Sequence, residues 1–331
     1  MLYELLALLG VLFTSFVKII QKSIDIDPIT LNLLSTTTFF IFFLIIVYFD
    51  FKNNPEKFEA KKNKLHLSNN PFKNMFSFRA LQISLTGSTM YLLSLYCLKN
   101  LPFTLIAAIN SLWIIPALFF NKLLRNIKIT ADKVISCIIV IIGVLVMSFN
   151  NLFNNKNKNK DEHQESSKNT ILFSLILLFV GILKAYQINI IKQTEDYVTY
   201  RELPVMDFGL NSIFSIIIYL IYVFFPYKTW TVYFPKLNDI IKFILFVSIL
   251  FVSSFYLKMY TLQKLTETVS NLLQSTSLIF AIILGKIFFN ESISLNKIIG
   301  AIIIISGILY IKYHHDFSIQ LDHLLPPILT M

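Results

Sequence analysis

Charge is scarce in this chain. Asp, Glu, Lys and Arg make up 15% of its 331 residues, where soluble proteins run near about 25%. Cysteine is scarcer still. The two thiols, Cys97 and Cys137, both fall inside apolar runs, which excludes a disulfide framework. All five histidines, His66, His163, His314, His315 and His323, fall in expected loops or tails. Carboxylates near apolar runs are few: Glu4, Asp207 and Glu267 each fall near the end of an expected helix. A proton relay in a membrane needs a buried Asp, Glu or His, and none is visible in the middle of a segment. Clustered catalytic side chains, zinc-ligand spacing and a glycine-rich phosphate loop are also missing. No catalytic residue, metal or cofactor is therefore expected.

Apolar sequence fills the place of charge. Hydrophobic residues make up 55% of the chain and mean hydropathy is +0.66. A globule of this size cannot hide so much apolar surface, so lipid is its natural solvent. A membrane-spanning helix needs about 20 mostly apolar residues. The sequence predicts ten: 2–20, 28–49, 78–98, 103–124, 131–149, 170–191, 206–225, 239–258, 267–289 and 295–312. Segments 78–98 and 267–289 carry the most polar residues, which shielded or cavity-lining helices tolerate. The first segment has no basic leader or small-residue cleavage site and reads as a helix. The net charge of +10 comes mostly from Lys and Arg between apolar runs, where membrane proteins keep them. This excludes nucleic acid as a partner and leaves lipid and a small solute. The same charges lie in modest excess on one side and place both termini in the cytosol. The Asn/Lys-rich stretch 150–169 reads as a disordered linker, and 314–331 as a tail. Asn290-Glu291-Ser292 is a glycosylation sequon, but it is wedged between two expected helices.

Self-similarity divides the chain. At a constant offset of 164, residues 79–149 lie over 243–313 without a gap. The matching polar and glycine pairs include Ser84/Ser248, Tyr96/Tyr260, Thr104/Thr268, Ser111/Ser275, Lys122/Lys286, Asn126/Asn290, Lys133/Lys297 and Gly143/Gly307, and Asn110 meets Gln274. Two five-helix halves follow, 1–149 and 170–313. Because five is odd, the second half enters the membrane from the opposite side. Such inverted repeats recur in transporters, where the halves rock about a central site.

Lys184 lies well inside its helix, and an unpaired Lys there costs roughly 2.5–3.5 kcal/mol. Water, a carboxylate or an anionic ligand would offset that cost. The alternative is an ammonium that snorkels to one interface. Lys18 lies nearer a helix end, where snorkelling is easier, and Asn189 holds the matching place in the second half. Asn110 and Gln274 are repeat-related amides suited to hydrogen-bonding a solute or to joining helices. Asn271 and Ser275 extend the polar stripe around Gln274. Tyr96 and Tyr186 offer rings for stacking. Substrate-binding candidates are thus Lys18, Lys184, Asn110, Gln274, Asn189, Tyr186, Asn271, Ser275 and Tyr96. Ser136/Gly143 and Gly300/Gly307, at seven-residue spacing, read as close helix packing.

The end of each half carries a resemblance. Leu101-Pro102 through Ile109-Asn110-Ser111, Pro116 and Gly143-Val144-Leu145 form one stretch. Gln274-Ser275, Phe289-Asn290-Glu291-Ser292-Ile293, Gly300 and Gly307-Ile308-Leu309 form the other. The pattern resembles the drug/metabolite transporter superfamily, which includes EamA-like exporters, nucleotide-sugar transporters and chloroquine-resistance-transporter-like proteins. No subfamily follows, since the motifs of triose-phosphate and GDP-mannose carriers are missing. The resemblance implies a central cavity, with the last helix of each half at the periphery and available for a homodimer. The function expected is alternating-access transport, active or by exchange, of a small polar or anionic metabolite or drug. A membrane-embedded enzyme and a non-transporting membrane protein are the alternatives, and saturable flux separates them from a transporter.

Overall fold

The structure, a computed structural model, describes residues 2–58, 67–68, 70–126, 129–153, 160–195, 197–224, 236–264 and 276–324. All regular elements among these residues are helical. Besides a 3-10 turn (Pro55–Phe58) and a four-residue helix (Pro71–Asn74), they are α1 (Leu2–Ser23), α2 (Pro28–Asn53), α3 (Phe78–Asn100), α4 (Phe103–Ser111), α5 (Ile114–Arg125), α6 (Ala131–Phe153), α7 (Lys160–Glu195), α8 (Leu203–Phe224), α9 (Leu237–Lys242), α10 (Ile249–Lys264), α11 (Ser277–Phe289) and α12 (Leu295–Leu324). A π-helical turn, Phe243–Ser248, joins α9 to α10.

Local chemistry sets several helix ends. Asp27 starts α2: its carboxylate accepts the N–H groups of Ile29 and Thr30, each at 3.0 Å, ahead of a proline at the first helical position. Ser77 caps α3 by accepting Ala80 N–H at 3.2 Å. Asn126 and Asn290 end α5 and α11 in the left-handed region, with φ of 55° and 51°. Asparagine tolerates that conformation better than most residues, and there it satisfies the last carbonyls of a helix. These two residues stand at the 164-residue offset. Between α4 and α5 the chain makes a tight turn at Leu112–Trp113, where Ile115 N–H bonds Leu112 O at 3.1 Å. Pro116 explains the turn. It has no N–H to offer Leu112, so that carbonyl takes the donor one residue earlier.

Among the described residues, six helical stretches are long and apolar enough to cross a membrane: Leu2–Ser23, Pro28–Asn53, Phe103–Arg125, Asn169–Thr194, Leu203–Phe224 and Leu237–Thr261. Ser277–Phe289 and Leu295–Gly307 are apolar but shorter. This is fewer than the ten expected. Segment 78–98 is helical, but Ser, Thr and Gln dilute it. Segment 267–289 falls partly outside the described residues. The linker expected over 150–169 also differs: α6 reaches Phe153 and α7 begins at Lys160. Its Lys, Glu and Gln residues are good helix formers and extend the apolar helix beyond its apolar length. Residues 154–159 lie outside the described part. So do 325–331, while α12 carries helix to Leu324 through what was expected to be tail.

The main helix contacts join residues of 1–149 to residues of 160–324. They are α6 with α12, α3 with α7 and α8, α1 with α10, α2 with α8, α5 with α7 and α4 with α11. α6 and α12 cross closely. A Cβ at Gly300 would stand 2.7 Å from Gly143 O and from Met147 Cβ. Ser136 Oγ donates to Gly307 O in the same seam. An aromatic core ties α2 to α8 and α10: Phe39 stacks on Phe251 with centroids 3.9 Å apart, and Phe43 on Phe208 at 5.3 Å. Rows of Ile, Leu and Phe face outward, including Ile41, Ile45 and Phe49 of α2 and Ile216, Ile217 and Leu220 of α8. A protein in water would not leave so much apolar surface contiguous and bare.

Candidate functional site

Three ammonium groups from three helices converge. Lys18 of α1, Lys184 of α7 and Lys258 of α10 lie within electrostatic reach of one another. Close packing brings them together. Gly10 lets α1 approach α10: a Cβ there would be 3.2 Å from Leu257 Cβ, beside Lys258. Gly181, one turn before Lys184, faces Trp113: a Cβ there would stand 3.6–3.9 Å from its backbone and Cβ. Trp113 therefore stands at the break between α4 and α5, and Lys184 Nζ lies 4.5 Å from the centroid of its ring system. A cation over an indole gains about 2 kcal/mol when desolvated. Among the described residues none of the three ammonium groups donates a hydrogen bond or enters an ion pair with a protein acceptor.

A polar seam adjoins the cluster. Asp207 lies on the fifth residue of α8 and is buried. Its Oδ1 accepts Gln187 Nε2 of α7 at 3.2 Å, and the same amide donates to Ile83 O at 3.1 Å. Ser84 of α3 donates to the carbonyls of Met206 and Asp207, at 2.8 and 2.7 Å. Farther along α8, Ser215 accepts Asn32 Nδ2 of α2 at 2.9 Å. Lys258 acts electrostatically on Asp207.

The other sequence candidates spread out. Asn110 is half-buried in the last turn of α4, and its carbonyl accepts Trp113 N–H at 3.3 Å. Asn189 is buried; its Nδ2 donates to Ala185 O at 3.0 Å and its Oδ1 has no partner among the described residues. The ring of Tyr186 packs on Phe120 at 5.5 Å. Tyr96 lies toward the far end of α3, within electrostatic reach of Asp27 and Tyr222. Asn271, Gln274 and Ser275 lie outside the described residues, as does Glu267.

Two functional candidates escape the sequence reading. Lys258 was the last residue of an expected helix, where a lysine reaches water easily. The helix instead runs on to Lys264. Apolar Met259, Tyr260 and Leu262 beyond it were the available signal. Asp207 lies near a helix start, as expected, yet α3 and α7 cover it. Placement near an end did not reveal that burial. Among the described residues no three His, Cys, Asp or Glu side chains gather as metal ligands. The donors on offer are ammonium and amide groups, which suit an anion.

A second cluster closes one end of the molecule. Glu291, in the α11–α12 loop, accepts the N–H of Phe103 at 2.5 Å and of Thr104 at 3.3 Å, and Thr104 Oγ1 at 2.7 Å. Lys22 donates to Leu101 O at 2.5 Å and lies 5.0 Å over the Phe289 ring. Lys99 donates to Ile24 O. Here α1, α3, α4 and α11 are tied at one level.

The family model of the EamA-like transporter family matches residues 1–149 and 196–313. No curated protein matches. A solved structure, described only as the crystal structure of a protein, is similar over 93% of this chain and 97% of its own, with a TM-score of 0.59 and 12% identity. That likeness concerns the fold alone.

Proposed function

From the chain's membership of the EamA-like transporter family, we propose that this multi-pass membrane protein moves a small anionic solute by alternating access, with Lys18, Lys184 and Lys258 as its binding cations. The family points to transport of small solutes rather than to enzyme chemistry. The observation that carries the anionic reading is the convergence of three interior ammonium groups with no protein acceptor among the described residues. Burying like charges together is costly, and an anion supplied by the solute offsets it. Trp113 at the α4–α5 break supplies a ring beside Lys184. An interrupted helix at that depth suits a solute site.

The helix pairing supports two inverted halves. The pairs α1–α10 and α3–α7 exchange under the repeat, while α2–α8 and α6–α12 each map onto themselves. The modest Lys/Arg excess on one side supports a cytosolic position for both termini. A homodimer would use the outward rows Ile135, Ile138 and Ile142 of α6 with Ile298 and Ile302 of α12, because the small residues of those helices are spent within the chain.

Thermal stabilisation of the purified protein tests the reading. Inorganic phosphate, dicarboxylates and nucleoside monophosphates are compared with neutral sugars and amines, and each stabilising compound is followed by counterflow in proteoliposomes. Anions should stabilise and exchange, and Lys258→Met should weaken both. Saturable flux confined to neutral or cationic compounds would defeat the anionic reading.

A further inference from the structure

The anion site leaves one buried ionisable group without a task. Asp207 has Gln187 on its Oδ1, and its Oδ2 accepts no hydrogen bond from the described residues. Gly87 makes the room: a Cβ there would stand 2.8 Å from both Asp207 Oδ1 and Gln187 Nε2. Among the described residues no cation lies within 4.0 Å of the carboxylate. Lys258 of α10 is the charged group whose field reaches it. The remaining neighbours are neutral: Ser84 and Gly87 on α3, Gln187 on α7 and Asn211 one turn along α8. Asn32 of α2 is engaged with Ser215, and Glu202, in the turn just before α8, accepts from Asn74. The field of Lys258 also reaches Lys184 and Lys18.

A carboxylate in a dry interior needs a close counter-charge or a proton, because holding it ionised alone costs several kcal/mol. Lys258 is a shared and incomplete counter-charge, since it also serves the anion site. We propose that Asp207 is a proton-binding site coupled to the anion site through Lys258. When an anion occupies the lysines, it neutralises the field of Lys258, and the Asp207 carboxylate takes a proton from water onto Oδ2. When the anion leaves, the O–H bond breaks and the proton returns to water. Nothing is oxidised or reduced. Linkage is reciprocal, so the proton also tightens the anion, and the two travel together.

The coupling rests on the anion reading, but the proton site can be examined without any solute. Infrared difference spectra of the lipid-reconstituted protein, acid minus alkaline, should show a protonated-carboxyl stretch that Asp207→Asn removes. Gly87→Ala should shift the frequency of that band by displacing Gln187, which guards against a loss caused by misfolding. An identical band in Asp207→Asn, or no such band in the wild type, overturns the proton site. Lys258→Met should move the pH at which half the band is lost, and an unmoved value overturns the link. Sulfate, which keeps its charge across the range, serves as the anion probe. Sulfate binding should draw more protons from a weakly buffered solution in the wild type than in Asp207→Asn. Equal uptake by the two overturns the coupling. If no anion binds at all, the proposed transport function fails, and the carboxyl band still decides whether Asp207 is a proton site.

Discussion

Lys184 shows what one side chain contributes at this depth. Its ammonium has the Trp113 ring beside it at 4.5 Å and no protein anion among the described residues. Lys184→Met removes the cation–π contact but also removes a charge that is costly to bury, so the two changes in stability oppose each other. A bound anion loses a charged hydrogen bond of about 1.5–3 kcal/mol, or roughly ten- to a hundredfold in affinity. Anion affinity should therefore fall at least about tenfold, with the thermal midpoint changed by only a few degrees. Isothermal titration and thermal unfolding of the same preparation check this, and equal affinity would remove Lys184 from the site. The lysines differ in legibility for a physical reason. Lys184 is flanked by long apolar runs on both sides, so the sequence exposes its cost directly. Lys258 sits where a helix could plausibly have ended, and Asp207 sits where one begins. Their burial comes from other helices, and a single-chain hydropathy reading does not contain that information.

Among the elements, α6 and α12 share a close-packed seam. Ser136, Gly143, Gly300 and Gly307 were legible as small residues at seven-residue spacing, and the structure brings them together. An added Cβ at Gly300 meets backbone and Met147 at 2.7–2.8 Å, so the helices must move apart. Overpacking of this kind costs about 1–3 kcal/mol. Gly181 differs, because a Cβ there meets Trp113 at 3.6 Å or more, ordinary van der Waals contact. Gly300→Ala should lower the thermal midpoint, whereas Gly181→Ala should leave it unchanged within about 0.5–1 kcal/mol, since alanine is also the better helix former. Parallel unfolding curves in one detergent make the comparison. The break at Leu112–Trp113 was half visible: Pro116 announces a disturbed helix but not which carbonyl is released. The π-helical turn Phe243–Ser248 gave no sign in an unbroken apolar run.

At the scale of the whole molecule the two ends are unlike in sequence, although the halves repeat. Asn126 and Asn290 end matching helices in the same conformation, yet Ile127 follows the first and Glu291 the second. Glu291 turns that difference into a tie. Its carboxylate holds the first turn of α4, where helix N–H groups have no partners of their own and the dipole favours a negative charge. Lys22 over Phe289, and Phe103 against Phe289 at 6.1 Å, tie the same level. Any cycle that opens this end must release the carboxylate from Phe103 and Thr104. Glu291→Ala should therefore raise the share of molecules open at this end. An Asn110→Cys reporter, in a chain whose Cys97 and Cys137 are replaced by alanine, reads that share. A membrane-impermeant maleimide applied from the side of the α11–α12 loop should label Cys-substituted Asn110 several-fold faster in Glu291→Ala than in its parent. Glu291→Gln should fall between them, because it keeps an acceptor for Thr104 but loses the charge. Equal rates in all three chains would mean that the tie holds the fold together without limiting how this end opens.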